Sequence, residues 1–248
     1  MKNIYFKKLD INIKSGELIS IVGPNSCGKT TFIKNISGKC NRDYLYLDDK
    51  DIKDFELEYK KNNILCVFND NKYSTFNPRN ELKYYLELLK YNVYEITSRL
   101  DDFIIYFKLE SIIDIDFNEL SIEDRIYIKI LSLLIINPSL FCIDDLLTYL
   151  SNDKKMRILN YIKDHNITLI SILSDLEDCL LFDKVLVYNK ENVLKYDYVK
   201  EVLLDEKLFK SLGLSLPFIY DLNNMLKSYE LINEEHLNNK ELVDLLWK

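Results

Sequence analysis

The chain has 248 residues, of which 48% are hydrophobic and 29% charged, and its formal net charge at pH 7 is −7. This composition is typical of a folded globular protein whose length suits one large domain, with or without an appendage. The negative charge gives no electrostatic support to nucleic-acid binding, so we expect no nucleic-acid partner. The longest apolar stretch, 130–143, contains an Asn-Pro pair and is too short to span a bilayer, which leaves only a peripheral role at a membrane.

Apolar runs typical of strands alternate with helical patterns along most of the chain. In chain order we predict strand 18–22, helix 29–36, strands 44–47 and 64–68, a helical insert at about 77–120, a helix after residue 121, strand 140–144, helix 152–163, strands 167–172 and 185–188, a hairpin over 184–196 and a helical C-terminal region. This alternation favours an α/β fold built on a mainly parallel sheet.

A phosphate-loop pattern, G-x-x-x-x-G-K-[ST], follows the first of these strands and opens a helix. Its positions are filled by Gly23, Pro24, Asn25, Ser26, Cys27, Gly28, Lys29 and Thr30, and Thr31 comes next. The glycines permit the tight turn that aims backbone N–H groups at phosphate oxygens, and the helix N-terminus adds partial positive charge. Lys29 is expected to reach the β- and γ-phosphates and Thr30 to ligate Mg²⁺, so the motif predicts binding of ATP with Mg²⁺.

P-loop enzymes also need an acidic residue beside the Mg²⁺ ion, and we expect it at the end of the buried strand LFCID. Asp144 ends this strand and would hold Mg²⁺ through water, and Asp145 follows it. The alternative is a pair of aspartates that only caps a helix. Because the chain also contains a phosphate loop, a role of these aspartates in holding Mg²⁺ is the stronger interpretation.

Three segments in this order resemble the nucleotide-binding subunit of an ABC transporter: GPNSCGKTT, NELSIEDRIYIKILSLLIINPSLFCIDD and ISILSD. The C-terminal region, from YVKEVLLDEKLF to ELVDLLWK, is similar to that of energy-coupling factor (ECF) transporter ATPases. The likeness covers nearly the whole chain. It implies a P-loop NTPase fold of ABC type, with an ATP-binding domain at 1–200 and a helical extension for dimerisation at 201–248.

The resemblance also implies partners. In that family two ATPase subunits pair head to tail, and each ATP lies between the phosphate loop of one subunit and the signature segment of the other. The pair drives a transmembrane coupling protein, which works with a membrane protein that captures a vitamin or a metal ion. The insert, here 77–116, would contact the coupling protein. An odd cysteine count and the lack of an export-signal pattern fit a peripheral protein on the cytoplasmic face of the cell membrane.

The family signature LSGGQ is altered here to Leu120-Ser121-Ile122-Glu123-Asp124. Ile122 and Glu123 add bulk and negative charge where glycines normally allow close approach to a phosphate. Two like charges about 4 Å apart repel by roughly 1 kcal/mol in water and about 4 kcal/mol at an intermediate dielectric. The Ser121 hydroxyl could still contact the phosphate of the opposite site, or it could only cap the helix together with Asp124.

Other positions of the family's site are altered as well. Asp145 stands where the family has its catalytic glutamate, and its side chain is shorter by about 1.5 Å. Because a misplacement of about 1 Å can cost about 10²-fold in rate, we expect Asp145 and Lys29 to be catalytic residues of a slow site. Ser174 replaces the switch histidine, and Asn69 replaces a glutamine that contacts the metal. The D-loop aspartate is also gone from the segment 148–151.

The usual upstream strand, which carries an adenine-stacking aromatic residue, is expected to be absent. Tyr5 or Phe6 could substitute for that residue, although the core is the more natural place for either. The residue that stacks on the adenine cannot be read from the sequence.

We therefore predict an ATP-binding subunit of an ECF-type ABC transporter, paired with a different ATPase, in which hydrolysis is slow or asymmetric. Sequence drift that left a slow but functional ATPase is another possible origin of the altered motifs. A soluble regulatory ABC-type module without a membrane partner is the main alternative function, and a chromosome-structural ATPase is a weaker one. The transported substrate cannot be read from this chain.

Overall fold

The computed structural model describes residues 3–7, 9–37, 45–48, 50–70, 72–190, 192–229 and 232. Its strands are β1 (Asn3–Phe6), β2 (Ile11–Lys14), β3 (Leu18–Val22), β4 (Leu45–Leu47), β5 (Lys50–Asp51), β6 (Ile64–Val67), β7 (Leu140–Asp144), β8 (Thr168–Ile172), β9 (Lys184–Asn189) and β10 (Asn192–Tyr198). Its α-helices are α1 (Lys29–Ile36), α2 (Leu57–Asn63), α3 (Pro78–Leu88), α4 (Val93–Phe107), α5 (Ile122–Leu134), α6 (Asn152–Asp164), α7 (Val199–Leu203), α8 (Glu206–Ser211) and α9 (Phe218–Ser228). Three short 3-10 helices cover Ile52–Asp54, Leu147–Tyr149 and Leu176–Leu181.

The central sheet has six strands in the order β10-β9-β3-β8-β7-β6. All of its pairings are parallel except that of β9 with β10, which is a hairpin. Every residue of β3, β7 and β8 is buried, because helices or the second sheet cover both faces, and this explains why these strands lack an alternating pattern. The predicted α/β fold with a mainly parallel sheet is confirmed.

A smaller antiparallel sheet, β2-β1-β4-β5, covers one face of the central sheet together with α1. Its strand β2 alternates buried Ile11 and Ile13 with exposed Asn12 and Lys14. The sequence interpretation placed no strand upstream of β3, and the structure has two, so that expectation was wrong. These strands are only four residues long, and their pattern becomes clear only when they pair.

The helical insert lies on the other face of the central sheet, where its core is continuous with that of α5 and α6. Helix α3 begins at Asn77, whose side chain accepts from the Asn80 N–H, and Pro78 occupies the first turn. Helix α4 begins with a capping box between Asn92 and Glu95 and ends at Lys108 in the left-handed region. The predicted helices are therefore present.

The chain after β10 is helical as far as it is described, with α7, α8 and α9 following the hairpin. Residues 230, 231 and 233–248 lie outside the described residues, so much of the predicted extension at 201–248 and its proposed role in dimerisation stay predictions. The same holds for residue 44 of the predicted strand 44–47. In the described part of the chain, no helix is both long and apolar enough to cross a membrane.

Candidate nucleotide-binding site

The phosphate loop joins the end of β3 to the start of α1, and its shape depends on glycine at two positions. Gly28 has φ 102°, a left-handed conformation that side chains rarely adopt. A Cβ on Gly23 would lie 2.0 Å from the carbonyl oxygen of Tyr188 in β9, which no side chain could tolerate. The Cys27 thiol donates to the same carbonyl oxygen at 3.2 Å and is buried. Cys27 therefore anchors the loop on β9, and only its backbone N–H is left to face a phosphate.

The Lys29 ammonium lies inside the curve of this loop. Its Nζ donates to the carbonyl oxygens of Gly23 at 2.7 Å and Pro24 at 2.8 Å. These two bonds place the positive charge where the loop is open to a bound anion. A phosphate at this point would meet the ammonium and the N–H groups of the loop together.

Thr30 and Asp144 come together from α1 and β7. The Thr30 hydroxyl donates to Asp144 Oδ1 at 3.0 Å, and Asp144 is buried. Burial raises the pKa of Asp144; the charge of Asp145 acts in the same direction, while the Thr30 hydrogen bond opposes it. A carboxylate that burial disfavours in its charged form is strongly stabilised by a nearby cation.

The donor chemistry of this pair fits Mg²⁺. A hydroxyl and a carboxylate are hard oxygen ligands, which Mg²⁺ prefers. Among the described residues, no group of three or more His, Cys, Asp or Glu side chains could hold a metal by itself. A two-ligand site agrees with Mg²⁺, which usually keeps several waters and shares its ligands with substrate phosphates.

Asp145, the candidate base, is held by three hydrogen bonds. Its Oδ1 accepts from the Ser174 backbone N–H at 3.0 Å and from the Thr148 hydroxyl at 3.2 Å. Its Oδ2 accepts from the Ser174 hydroxyl. The residue itself has φ 55°, so the chain turns sharply directly after β7. The two altered positions, Asp145 and Ser174, are therefore in direct contact.

A cavity of about 300 Å³ brings these groups together at the carboxyl ends of β3, β7 and β8. It is lined by Asn25, Ser26, Gly28, Lys29, Thr30, Thr31, Asp144, Asp145, Ile172 and Ser174. Ligands of open α/β sheets bind at this edge of the sheet. Sequence reasoning missed Ile172; its place as the last residue of a buried parallel strand was the signal that could have found it.

Two predicted site residues lie outside this cavity. Asn69 is exposed two residues beyond the end of β6, at the edge of the sheet. Ser121 is the N-cap of α5, where its hydroxyl accepts from the Asp124 N–H at 3.0 Å and donates to the Asp124 carboxylate at 2.6 Å. In the single chain Ser121 therefore acts as a cap.

The two aromatic residues proposed to stack on the adenine, Tyr5 and Phe6, do not line the cavity either. Phe6 is a core residue, as its alternative interpretation held. Tyr5 is only half-buried and its hydroxyl donates to Asp10 at 3.0 Å, so the expectation of a core position was wrong for this residue. Among the described residues, those that line the cavity include no aromatic side chain.

A mainly parallel sheet with a phosphate loop after one strand and a buried aspartate at the end of another defines a P-loop nucleoside triphosphatase. The family model described as ABC transporter matches residues 6–148. The energy-coupling factor transporter ATP-binding protein EcfA1 of Staphylococcus aureus (strain USA300) is 29% identical over 228 residues, which is 89% of this chain and 85% of that protein. The chain belongs to the ABC transporter family and is an ABC-type ATPase, which couples ATP hydrolysis to transport.

Solved structures show the same fold. The structure of cbiO1 from Clostridium perfringens, part of the ABC transporter complex cbiONQ, has a TM-score of 0.71 with 24% identity and covers 86% of this chain and 90% of its own. The ATP-binding cassette MJ0796, in a dimeric post-hydrolysis state with ADP and Pi, has a TM-score of 0.66 with 19% identity over 77% of this chain and 89% of its own. The family and the fold inferred from the sequence are thus confirmed.

Proposed function

We propose that this chain is the ATP-binding subunit of an ECF-type transporter and that it works at the cytoplasmic face of the membrane in a head-to-tail pair with a different ATPase. The pair drives a transmembrane coupling protein for the uptake of a vitamin or metal ion. The observation that carries the proposal is the convergence of an intact phosphate loop with the Thr30–Asp144 pair in one cavity. The similarity to EcfA1 over most of the chain supports the type of transporter.

Nucleotide binding rests on the residues that line the cavity. The loop N–H groups and Lys29 would bind the β- and γ-phosphates, and Thr30 and Asp144 are the residues that would hold Mg²⁺. When bound, Mg²⁺ neutralises part of the phosphate charge. Asn69, at the edge of the sheet, is a further candidate ligand of the metal. It lies outside the cavity, so the segment after β6 would have to move for Asn69 to reach the metal.

Slow hydrolysis at the chain's own site is supported by the contacts of Asp145, which occupy three of the roughly four lone-pair positions of its carboxylate. A general base must present a free lone pair to the attacking water within about 2.6–3.2 Å. Here Oδ1 already accepts two hydrogen bonds and Oδ2 accepts the Ser174 hydroxyl. These bonds hold a short carboxylate close to the end of β8. In this proposal the partner ATPase contributes the faster site of the pair.

A groove of about 670 Å³ between β6 and the insert is the proposed docking surface for the coupling protein. It is lined mainly by apolar side chains, among them Leu57, Leu65, Phe68, Leu88 and Leu133, and by the lysines at 53, 60 and 61. Leu57 and Leu88 are more than half exposed. An apolar groove with a basic rim fits an amphipathic helix that carries acidic residues.

The test is the ATP turnover of the membrane complex purified through a tag on this chain. Asp145→Asn is expected to change turnover by less than about two-fold, while Lys29→Ala abolishes ATP binding at this site. Asp197→Asn, which removes an exposed carboxylate from β10, is the matched control for the charge change. A fall of turnover close to zero in Asp145→Asn would show that this chain's own site does the chemistry.

The membrane partner is tested with the Cys66 thiol, which lines the groove. Cys66 in the purified chain should react with a maleimide and should be protected in the membrane complex, with Cys66→Ser as the control for labelling elsewhere. If the tag brings down neither a membrane protein nor a second ATPase, the alternative of a soluble regulatory module replaces the transporter proposal.

A further inference from the structure

Lys154 joins the altered signature segment to the start of α6. Its Nζ donates to Asp124 Oδ1 at 2.7 Å and lies 3.3 Å from Glu123 Oε1. Glu123 Oε1 also accepts from the Ser151 backbone N–H at 2.9 Å. We call these four residues the signature brace. It spans from the first turn of α5 to the N-terminus of α6, about 30 residues further along the chain.

The signature brace holds two carboxylates in their charged form. The Ser151 hydrogen bonds and Lys154 hold the pKa of Glu123 below its usual range. Burial works against ionisation of Asp124, yet hydrogen bonds from Lys154 and Ser121 leave its pKa lowered as well. At neutral pH the segment therefore carries two negative charges, and Lys154 offsets one of them.

We propose that Lys154 is the positioning residue of the altered signature: it pairs with Glu123 and Asp124 and offsets one of their two charges, so that the N-terminus of α5 can approach the triphosphate bound by the partner ATPase. The inference rests on the head-to-tail pair of the proposed function. The glycines of an ordinary signature bring no charge to this place, whereas Glu123 and Asp124 would repel the phosphates.

The neighbouring lysine cannot take over this task. The Lys155 side chain is buried and donates to both oxygens of Asp178 at 2.6 and 2.7 Å. Lys154, by contrast, is 22% exposed and lies at the surface of the signature segment, with its Nζ 5.3 Å from the centre of the Tyr127 ring. Its charge can therefore act on an anion that approaches from outside.

The experiment measures the KM for ATP and the kcat of the purified membrane complex. Lys154→Met is expected to raise the KM ten-fold or more, because a site with two carboxylates and no cation repels the nucleotide. Lys154→Arg keeps the charge and should retain a KM within about three-fold of the native value. Lys163→Met, at the far end of α6 and half exposed, is the matched control and should leave both constants unchanged.

A triple variant separates neutralisation from simple bracing. Lys154→Met combined with Glu123→Gln and Asp124→Asn removes all three charges, and the KM should return to within about three-fold of the native value. If the triple variant stays as impaired as Lys154→Met, the lysine is only a structural brace and the inference is wrong. A native KM in Lys154→Met also overturns it.

The same measurements distinguish this failure from that of the proposed function. If the native chain copurifies with a second ATPase and turns over ATP while Lys154→Met behaves like it, only the role of Lys154 fails. If no second ATPase copurifies with the native chain, the head-to-tail pair fails and this inference fails with it.

Discussion

Lys155 and Asp178 form a buried ion pair between α6 and the 3-10 helix that follows β8. They are 7% and 6% exposed, and the ammonium contacts both carboxylate oxygens. Lys155→Met removes the cation and leaves a carboxylate buried without a partner. Loss of one member of a buried pair costs about 3–5 kcal/mol of the free energy of unfolding. For a chain of this length, each kcal/mol lowers the Tm by about 2–4 °C, so we expect a fall of roughly 6–20 °C.

Thermal and urea unfolding of the purified chain, followed by circular dichroism, measure this loss. The double variant Lys155→Met/Asp178→Leu should recover to within about 1 kcal/mol of the native chain, because a buried ion pair can be replaced by apolar side chains at little cost. Lys83→Met breaks an exposed pair with Glu87 and should leave the Tm unchanged. The reasoning is refuted if Lys155→Met loses less than about 1 kcal/mol, or if the double variant is as unstable as the single one.

Three further predictions concern the site and its surroundings. Gly23→Ala places a Cβ against the Tyr188 carbonyl and should weaken ATP binding by about 100-fold or more in calorimetry, whereas Gly213→Ala, with nothing within 4 Å of its Cβ, should bind normally; equal affinities would contradict the role of the close approach. Asp145→Glu restores the reach of the carboxylate and should raise hydrolysis at this chain's own site by about ten-fold, with 10²-fold as the upper bound, measured as the turnover of the complex above the level that Asp145→Asn leaves; an unchanged rate would show that reach does not limit it. The pKa of Glu123 is lowered in the folded state, so its contribution to stability is present above about pH 4.3 and is lost as the pH falls through the lowered pKa. The difference in free energy of unfolding between the native chain and Glu123→Gln should therefore shrink on acidification. A difference that stays constant with pH would disprove this.

The sequence predicted best those parts of the fold that local pattern determines. Strand β3 and helix α1 have the predicted bounds, since a fully apolar run, a glycine-rich turn and a helix start follow one another there. Strands β1 and β2 were missed because each has only four residues, and two or three side chains cannot establish an alternation. β1 pairs with its neighbour β2 and, across more than 30 residues, with β4, and these pairings supply what the local sequence lacks.

The candidate site was predicted as a set of residues but not as a set of contacts. Lys29, Thr30 and Asp144, which two separate sequence segments singled out, line one cavity, because the carboxyl ends of parallel strands meet. The contact between Asp145 and Ser174 spans 29 residues and depends on the turn after β7, which no local pattern encodes. Lys154 was missed for the same reason, since an ordinary lysine at a helix start resembles any solvated charge.

The backbone carbonyl of Tyr188 in β9 contacts the phosphate loop at two residues. It leaves no room for a side chain at Gly23 and accepts the Cys27 thiol, so the curvature of the phosphate loop is set by the position of β9. Strand β9 continues through the hairpin into β10 and α7. The C-terminal helices are thus connected, through the hairpin, to the strand against which the phosphate loop packs.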